Sequence, residues 1–184
     1  MSRHRFIPLL GVCLAALSPL VSAQTLVAPP ASGPCATPVP AELAPLFADW
    51  ARPAKAVAIA TRPEGDPAVP LGSKVRLKLV PAEQVTLAAK PRSPEMASGV
   101  AGLVTFRSGK AGEYRFSTSA YAWIEITPVG GGGEKPGITN SDRRVTCAGI
   151  GKNLGFELAG DTHYWFQISG TDKEDVDLLI TPPE

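Results

Sequence analysis

The sequence predicts an all-β protein: an antiparallel β-sandwich of the jelly-roll-like kind, with one short N-terminal helix and one disulfide. The first observation is a series of eight or nine short strand-like segments, in several of which apolar and polar residues alternate with period two. The second is that Gly, Pro and Asp turn signals separate these segments, whereas helical periodicity occurs in one place. The third is a pair of cysteines, Cys35 and Cys147, that remains when the N-terminal leader is set aside.

The leader, residues 1–23, has the composition of a removable secretory signal peptide. Two arginines precede an apolar run at 6–21, and small residues before position 24 suit cleavage after Ala23. The run is interrupted by prolines and is shorter than the roughly 20 continuous apolar residues that a membrane span needs. We therefore expect a periplasmic or secreted chain with no membrane span after signal removal.

The mature chain is expected to be close to neutral. Removing residues 1–23 leaves 16 Lys and Arg against 17 Asp and Glu, a net charge of about −1. Without a basic run, the chain lacks the electrostatic pattern that nucleic-acid binding requires. The remaining 161 residues suffice for one domain with a buried core. We expect that sandwich domain at 41–184, after an extended, Pro-rich lead-in at 24–40.

Cys35 and Cys147 are expected to form a disulfide, because an exported chain meets an oxidising compartment and these cysteines form an even pair. The bridge would connect the start of the mature chain to its late strands, 112 positions away. In the chain-entropy model such a loop stabilises the fold by roughly 4–5 kcal/mol. The alternative, two thiolate metal ligands, lacks a CxxC motif or a nearby histidine to complete the site.

The elements follow from periodicity, beginning with a short helix at 41–50, where apolar residues recur at spacings of three and four. A connection follows, with residues 56–60 as a candidate edge strand. Further strands are predicted at 74–80, 84–88, 100–107, 112–118, 121–127, 152–158, 163–169 and 175–180. The four glycines at 130–133 indicate a turn, and 134–145 is predicted to be a polar loop.

Three stretches carry a family resemblance: GEYRFSTSAYAWIEI, CAGIGKNLGFELAGDTHYWFQISG and DVDLLI. Over about residues 100–181 this succession resembles the bacterial pre-peptidase C-terminal (PPC) domain. The hallmark of that family is a strand, an L-x-x-G-x-x-Y turn and an aromatic strand that ends in Ser-Gly. The resemblance implies a small extracellular β-sandwich that serves as an accessory domain, in some cases binding a ligand or calcium, and that is not a catalyst.

Catalytic signatures do not appear in the mature sequence. A non-haem iron site needs two histidines and a carboxylate, but only His163 remains after His4 leaves with the leader. One subunit therefore cannot form the site of an iron enzyme such as homogentisate dioxygenase. No GxSxG motif is present, and His163 would act as a base only if a serine and an acid met it from distant strands. A small hydrolase or metal enzyme is the less favoured alternative.

Aromatic residues supply the candidate ligand-binding face. In 121–127 the apolar residues alternate with Tyr121, Trp123 and Glu125, so these three are expected to face water together. In 163–169 the same argument turns His163 and Trp165 outward. Exposed rings on adjacent strands would suit a sugar or a peptide. The favoured alternative is that both tryptophans pack under the 134–145 loop or the N-terminal segment, and that His163 is an ordinary surface residue.

An acidic stretch offers a candidate calcium site. It contains Asp172, Glu174, Asp175 and Asp177, with Asp161 as a further ligand in principle. The spacing does not match an EF-hand, and Lys173 opposes the accumulation of negative charge. A solvated turn is the favoured alternative, so no cofactor is assigned.

These observations favour an exported, non-catalytic binding or accessory protein of the cell envelope. Its partner would be a glycan or an envelope protein, bound as carbohydrate or peptide on the aromatic face. The alternative is a structural or assembly factor that binds protein partners through an edge strand.

Overall fold

The computed structural model describes residues 35, 39–131 and 134–184, so the expected signal peptide and most of the lead-in lie outside the described residues. A 3-10 turn (Ala41–Leu43) continues into helix α1 (Ala44–Trp50), which confirms the predicted helix. The strands are β1 (Lys55–Val57), β2 (Val75–Lys78), β3 (Val80–Pro81), β4 (Val100–Arg107), β5 (Gly112–Thr118), β6 (Trp123–Pro128), β7 (Ile138–Ser141), β8 (Lys152–Leu158), β9 (His163–Thr171) and β10 (Asp175–Thr181). In this part of the chain, no helix is long and apolar enough to cross a membrane.

The strands form two sheets, and all pairs within them are antiparallel except β1–β2. The six-stranded sheet has the order β1-β2-β10-β5-β8-β7, and the four-stranded sheet has the order β3-β4-β9-β6. The all-β, two-sheet prediction is confirmed. The predicted strand 74–80 instead divides at Leu79, where the chain passes from one sheet to the other.

Two local predictions are wrong. Residues 84–88 do not form a strand: a 3-10 turn at Ala82–Gln84 follows Pro81, and irregular backbone follows the turn. Residues 134–145 are not only a loop, because they contain β7 at the edge of the larger sheet.

The main core lies between the sheets and is built by the alternating inward residues of each strand. Its centre is aromatic: the Phe116 ring lies 5.4 Å from Phe106, 5.5 Å from Phe156 and 5.8 Å from Phe166. All four rings are at most 2% exposed. Burying a side chain of this kind stabilises the fold by about 1.5–3 kcal/mol, so the inward alternation fixes the register of the strands.

A second, smaller core lies on the outer face of the six-stranded sheet, under α1. It consists of Leu43, Leu46, Trp50, Val145, Ile150 and Leu179. The predicted disulfide Cys35–Cys147 is present beside it, with the two Cα atoms 4.9 Å apart. The bridge therefore holds the start of the described chain against the segment that follows β7.

Candidate binding surfaces

The outer face of the four-stranded sheet is covered. The outward residues Leu103, Thr105, Trp165 and Gln167 of β4 and β9 are each at most 4% exposed. The expectation that Trp165 faces water is therefore wrong, and its ring is not offered to a ligand on an open sheet. Sequence alternation correctly places the side chain on the outer face, but it cannot reveal what lies over that face.

Part of the cover is the irregular segment 82–98, which hydrogen bonds fix to β9. The side-chain amide of Gln167 accepts from the backbone N–H of Ala89 at 2.8 Å and donates to the carbonyl of the same residue at 3.2 Å. Ser169 donates to the carbonyl of Met96 at 2.5 Å. These bonds satisfy buried polar groups of both partners, and leaving such groups unpaired would cost about 1–3 kcal/mol each.

Tyr121 and Trp123 are the two predicted aromatic residues that remain partly accessible. The ammonium of Lys152, at the start of β8, lies 4.9 Å from the centre of the Tyr121 ring and 5.0 Å from that of Trp123. It also donates to the carbonyl of Ala122 at 2.5 Å. Burial lowers the pKa of Lys152, and the negative charge of Glu125 opposes that shift. The rings therefore already hold a cation from their own chain.

The alternation in β6 predicted that Glu125 faces open water, and this prediction is wrong. The residue is 7% exposed, and its carboxylate forms an ion pair with Lys135 from the segment after β6. Nearby, the indole N–H of Trp123 is buried without a hydrogen-bond partner among the described residues. The predicted cluster of Tyr121, Trp123 and Trp165 is thus reduced to a half-buried pair around Lys152.

His163 has an acidic neighbour that the sequence did not indicate. Its Nε2 atom lies 3.2 Å from Oδ1 of Asp66, which belongs to the connection between β1 and β2. The hydroxyl of Thr105 donates to the same carboxylate oxygen, and this bond, with a smaller contribution from His163, lowers the pKa of Asp66. Because Thr105 donates to the acid and not to the imidazole, the arrangement lacks the order of nucleophile, base and acid that activates a hydroxyl.

The acidic residues proposed for calcium are engaged differently. Asp177 accepts two hydrogen bonds from Arg76, at 2.7 Å and 3.1 Å, and Lys74 lies 3.9 Å away. Asp161 pairs with Arg107 at 3.1 Å. Among residues 35, 39–131 and 134–184, no group of three His, Cys, Asp or Glu side chains is placed to hold a metal ion. Asp172, Glu174 and Asp175 are therefore not gathered with Asp177 around a common point.

The four sheet edges differ in a way that the sequence did not show. Three carry residues that discourage pairing with another chain: β1 has Lys55, β3 has Pro81, and β6 has Glu125 and Pro128. The fourth, β7, reads Ile-Thr-Asn-Ser and has neither a charge nor a proline. All its residues are exposed, and Ile138, at 59%, is the most exposed large hydrophobic residue described.

The attachment of β7 to the sheet depends on a glycine. Thr139 donates a 2.8 Å hydrogen bond to Glu113, although β7 and β5 are separated by β8. The carboxylate reaches across because Gly155 of β8 has no side chain: a Cβ there would lie 2.8 Å from Cδ of Glu113. Arg115 holds the other carboxylate oxygen at 3.0 Å.

A cleft of about 620 Å³ lies beside β7, between the segment after β6 and the β8–β9 turn. Its lining includes the exposed Val129, two prolines, Gly137, and the charged side chains of Glu134, Lys135 and Glu157. The surface formed by the free side of β7 and this cleft is called the β7 surface below.

No protein-family model, curated protein or solved structure matches this chain. The resemblance to the PPC domain therefore stays a prediction.

Proposed function

We propose that the protein is an exported, non-catalytic binding or accessory protein of the cell envelope, and that it receives an extended segment of a partner protein as an added strand on β7. The single observation that carries this proposal is the contrast between β7 and the other three edges. Proteins normally guard exposed edges with Lys, Pro or inward-pointing charge, since an unguarded edge pairs with other chains. β7 has neither a charge nor a proline.

The affinity for such a partner would come from main-chain hydrogen bonds to β7, and the specificity from alternate side chains. Ile138 and Val129, which are 59% and 38% exposed, offer apolar contacts on this side of the molecule. The cleft beside them has room for a side chain of the incoming segment. We therefore expect an extended segment with β-branched or aromatic residues and no proline.

The test uses a phage-displayed library of random octapeptides, selected on the immobilised full-length mature protein. Selected peptides should bind the wild type and bind Ile138→Lys at least about tenfold more weakly, because the lysine places a guarding charge on the edge. Val39→Lys is the matched control, since it adds the same charge at another exposed apolar residue (37% exposed) outside both sheets.

N-methylation of alternate backbone amides in a selected peptide provides the second readout. Successive amides of a strand point to opposite sides, so one alternate set of peptide N–H groups faces β7 and the other set faces away. Methylation of the first set should abolish binding, and methylation of the second set should preserve it. Peptides that bind Ile138→Lys and the wild type equally, or that tolerate every methylation, contradict the proposal.

A second candidate function, carbohydrate binding, is favoured by one observation: Tyr121 and Trp123 are partly exposed and lie around the same ammonium group. Such rings can stack on a sugar. A glycan array probed with wild type and Trp123→Ala tests it. A glycan signal lost in the variant supports the candidate, and no signal, or an unchanged one, removes it.

A further inference from the structure

The carboxylate of Glu157, in β8 and next to the β7 surface, has no cation of its own chain beside it. The side chain is exposed, and its carboxylate has neither a hydrogen bond nor an ion pair among the described residues. Directly opposite in β5 lies Glu113, whose carboxylate is already engaged by Arg115 and Thr139. Like charges directly opposite each other in a strand pair are unfavourable, so a cation supplied from outside would stabilise Glu157.

The space between Glu157 and the free side of β7 is open at Gly137. Ile138 of β7 pairs with Phe156 of β8, so the antiparallel register places Gly137 and Glu157, one residue further along, beside each other. Both line the cleft next to β7. Phe156 points into the core, so Glu157 points to the outer face of the sheet. A Cβ on Gly137 would meet nothing within 4 Å.

The same sheet contains a side-chain contact of the required length. Glu113 crosses over Gly155 of β8 and accepts a 2.8 Å hydrogen bond from Thr139, two strands away. A residue of a strand added to β7 would also lie two strands from Glu157, with Gly137 between them. Neighbouring strands are about 4.8 Å apart. Because Lys and Arg have longer side chains than Thr, either can span the distance to Glu157.

The other charges of the cleft also favour a cation. Glu134 lines the cleft, is exposed, and has no ion pair among the described residues. The ammonium of Lys135 lines the cleft as well, but it is already paired with Glu125. A concave surface with an excess of one charge attracts ligand groups of the opposite charge.

We propose that the segment that adds to β7 carries a Lys or Arg beside Gly137, and that this cation pairs with Glu157. The inference rests on the proposed function and specifies the partner. Because side chains alternate along a strand, the next residue of the segment lies on the face of Ile138 and should be apolar. The partner is therefore an extended, β-branched or aromatic segment with a basic residue at one position.

Phage-selected octapeptides test the pairing through a double-mutant cycle. Lys or Arg should be enriched at one position of the selected peptides. One such peptide is then synthesised with Lys and with norleucine, which keeps an aliphatic chain without the charge. In titration calorimetry at ~20 mM salt, the Lys peptide should bind Glu157→Gln about two- to fivefold more weakly than the wild type, and the norleucine peptide should bind both equally. Glu174→Gln is the matched control, since it removes the same charge in the exposed β9–β10 turn.

The ion pair and strand addition fail in different ways. The ion pair is overturned if no basic residue is enriched, or if Glu157→Gln changes the affinities of the Lys and norleucine peptides by the same factor. Strand addition then stands as long as Ile138→Lys still weakens both peptides. If Ile138→Lys leaves both affinities unchanged, strand addition is itself wrong, and the ion pair is overturned with it.

Discussion

The hydroxyl of Thr139 in β7 donates a 2.8 Å hydrogen bond to the carboxylate of Glu113 in β5, across the position of Gly155 in the strand between them. This bond attaches the outermost strand at the place where its pairing with β8 is irregular, between Ile138 and Asn140. A side chain at the intervening position would prevent the contact. The edge that we propose for partner binding is therefore held by a polar contact over a glycine.

Gly155→Ala should loosen β7. The added Cβ would lie 2.8 Å from the Glu113 carboxyl carbon and 3.0 Å from the Thr139 hydroxyl, so both must move. We expect a loss of roughly 1–3 kcal/mol in the free energy of unfolding, measured by urea denaturation. Gly137→Ala is the control, because a Cβ there meets nothing within 4 Å. Equal stability of the two variants would contradict this account of β7.

Gln167→Leu should release the 82–98 segment from the outer face of the four-stranded sheet. The substitution leaves the buried N–H and carbonyl of Ala89 without their partner, at a cost of about 1–3 kcal/mol. Limited proteolysis should cut within 82–98 faster than in the wild type. Gln84→Leu, in an exposed turn of the same segment, should leave the cleavage rate unchanged. Cleavage at the wild-type rate in Gln167→Leu would show that the amide does not anchor the segment.

The contribution of Asp142 to stability should depend on pH. The hydrogen bond from Arg144 is the largest of the effects that lower the pKa of Asp142. Because the folded pKa lies below the unfolded one, the stabilisation is full above the unfolded pKa and disappears as the pH falls through the folded pKa. The urea midpoint of Asp142→Asn should therefore lie below that of the wild type at ~pH 7 and approach it at ~pH 2. If the difference in urea midpoint between the wild type and Asp142→Asn is the same at both pH values, the charge of the carboxylate is not the cause of that difference.

Loss of the disulfide should destabilise the fold without changing its strands. The double variant Cys35→Ser/Cys147→Ser removes a bond that closes a loop of 112 positions, and we expect a loss of about 2–5 kcal/mol. Urea denaturation of the oxidised wild type and of the double variant measures the difference. The reduced wild type should match the variant. If oxidised and reduced wild type unfold at the same urea concentration, the bridge does not stabilise the fold.

Local patterning predicted the strands well where one face meets the core. The bounds of β4, β5 and β8 agree with the predicted ranges. In β5 and β8 inward apolar residues alternate with other residues, whereas β4 is a mainly apolar run that is buried on both faces. The disulfide could also be predicted, since only two cysteines follow the leader. In contrast, β7 has only one apolar residue, so its sequence contains no periodic signal. Its pairing with β8 is also interrupted between Ile138 and Asn140.

The candidate sites depended on contacts that sequence spacing does not encode. Trp165 does lie on the outer face of its sheet, but this face is covered, and one covering contact pairs Gln167 with Ala89, 78 positions away. Glu125 is covered by its pairing with Lys135. Alternation gives the side of a sheet on which a residue lies, and only tertiary packing decides whether that side meets water.

The proposed function is tested most directly by hydrogen–deuterium exchange in the presence of a phage-selected octapeptide. If the peptide adds a strand to β7, amide exchange within residues 138–141 should slow by about tenfold or more at saturation, because edge N–H groups become hydrogen-bonded. Exchange in β1, β3 and β6 should stay the same, and Ile138→Lys should show no slowing. Unchanged exchange at 138–141, or slowing confined to another edge, would contradict strand addition on β7.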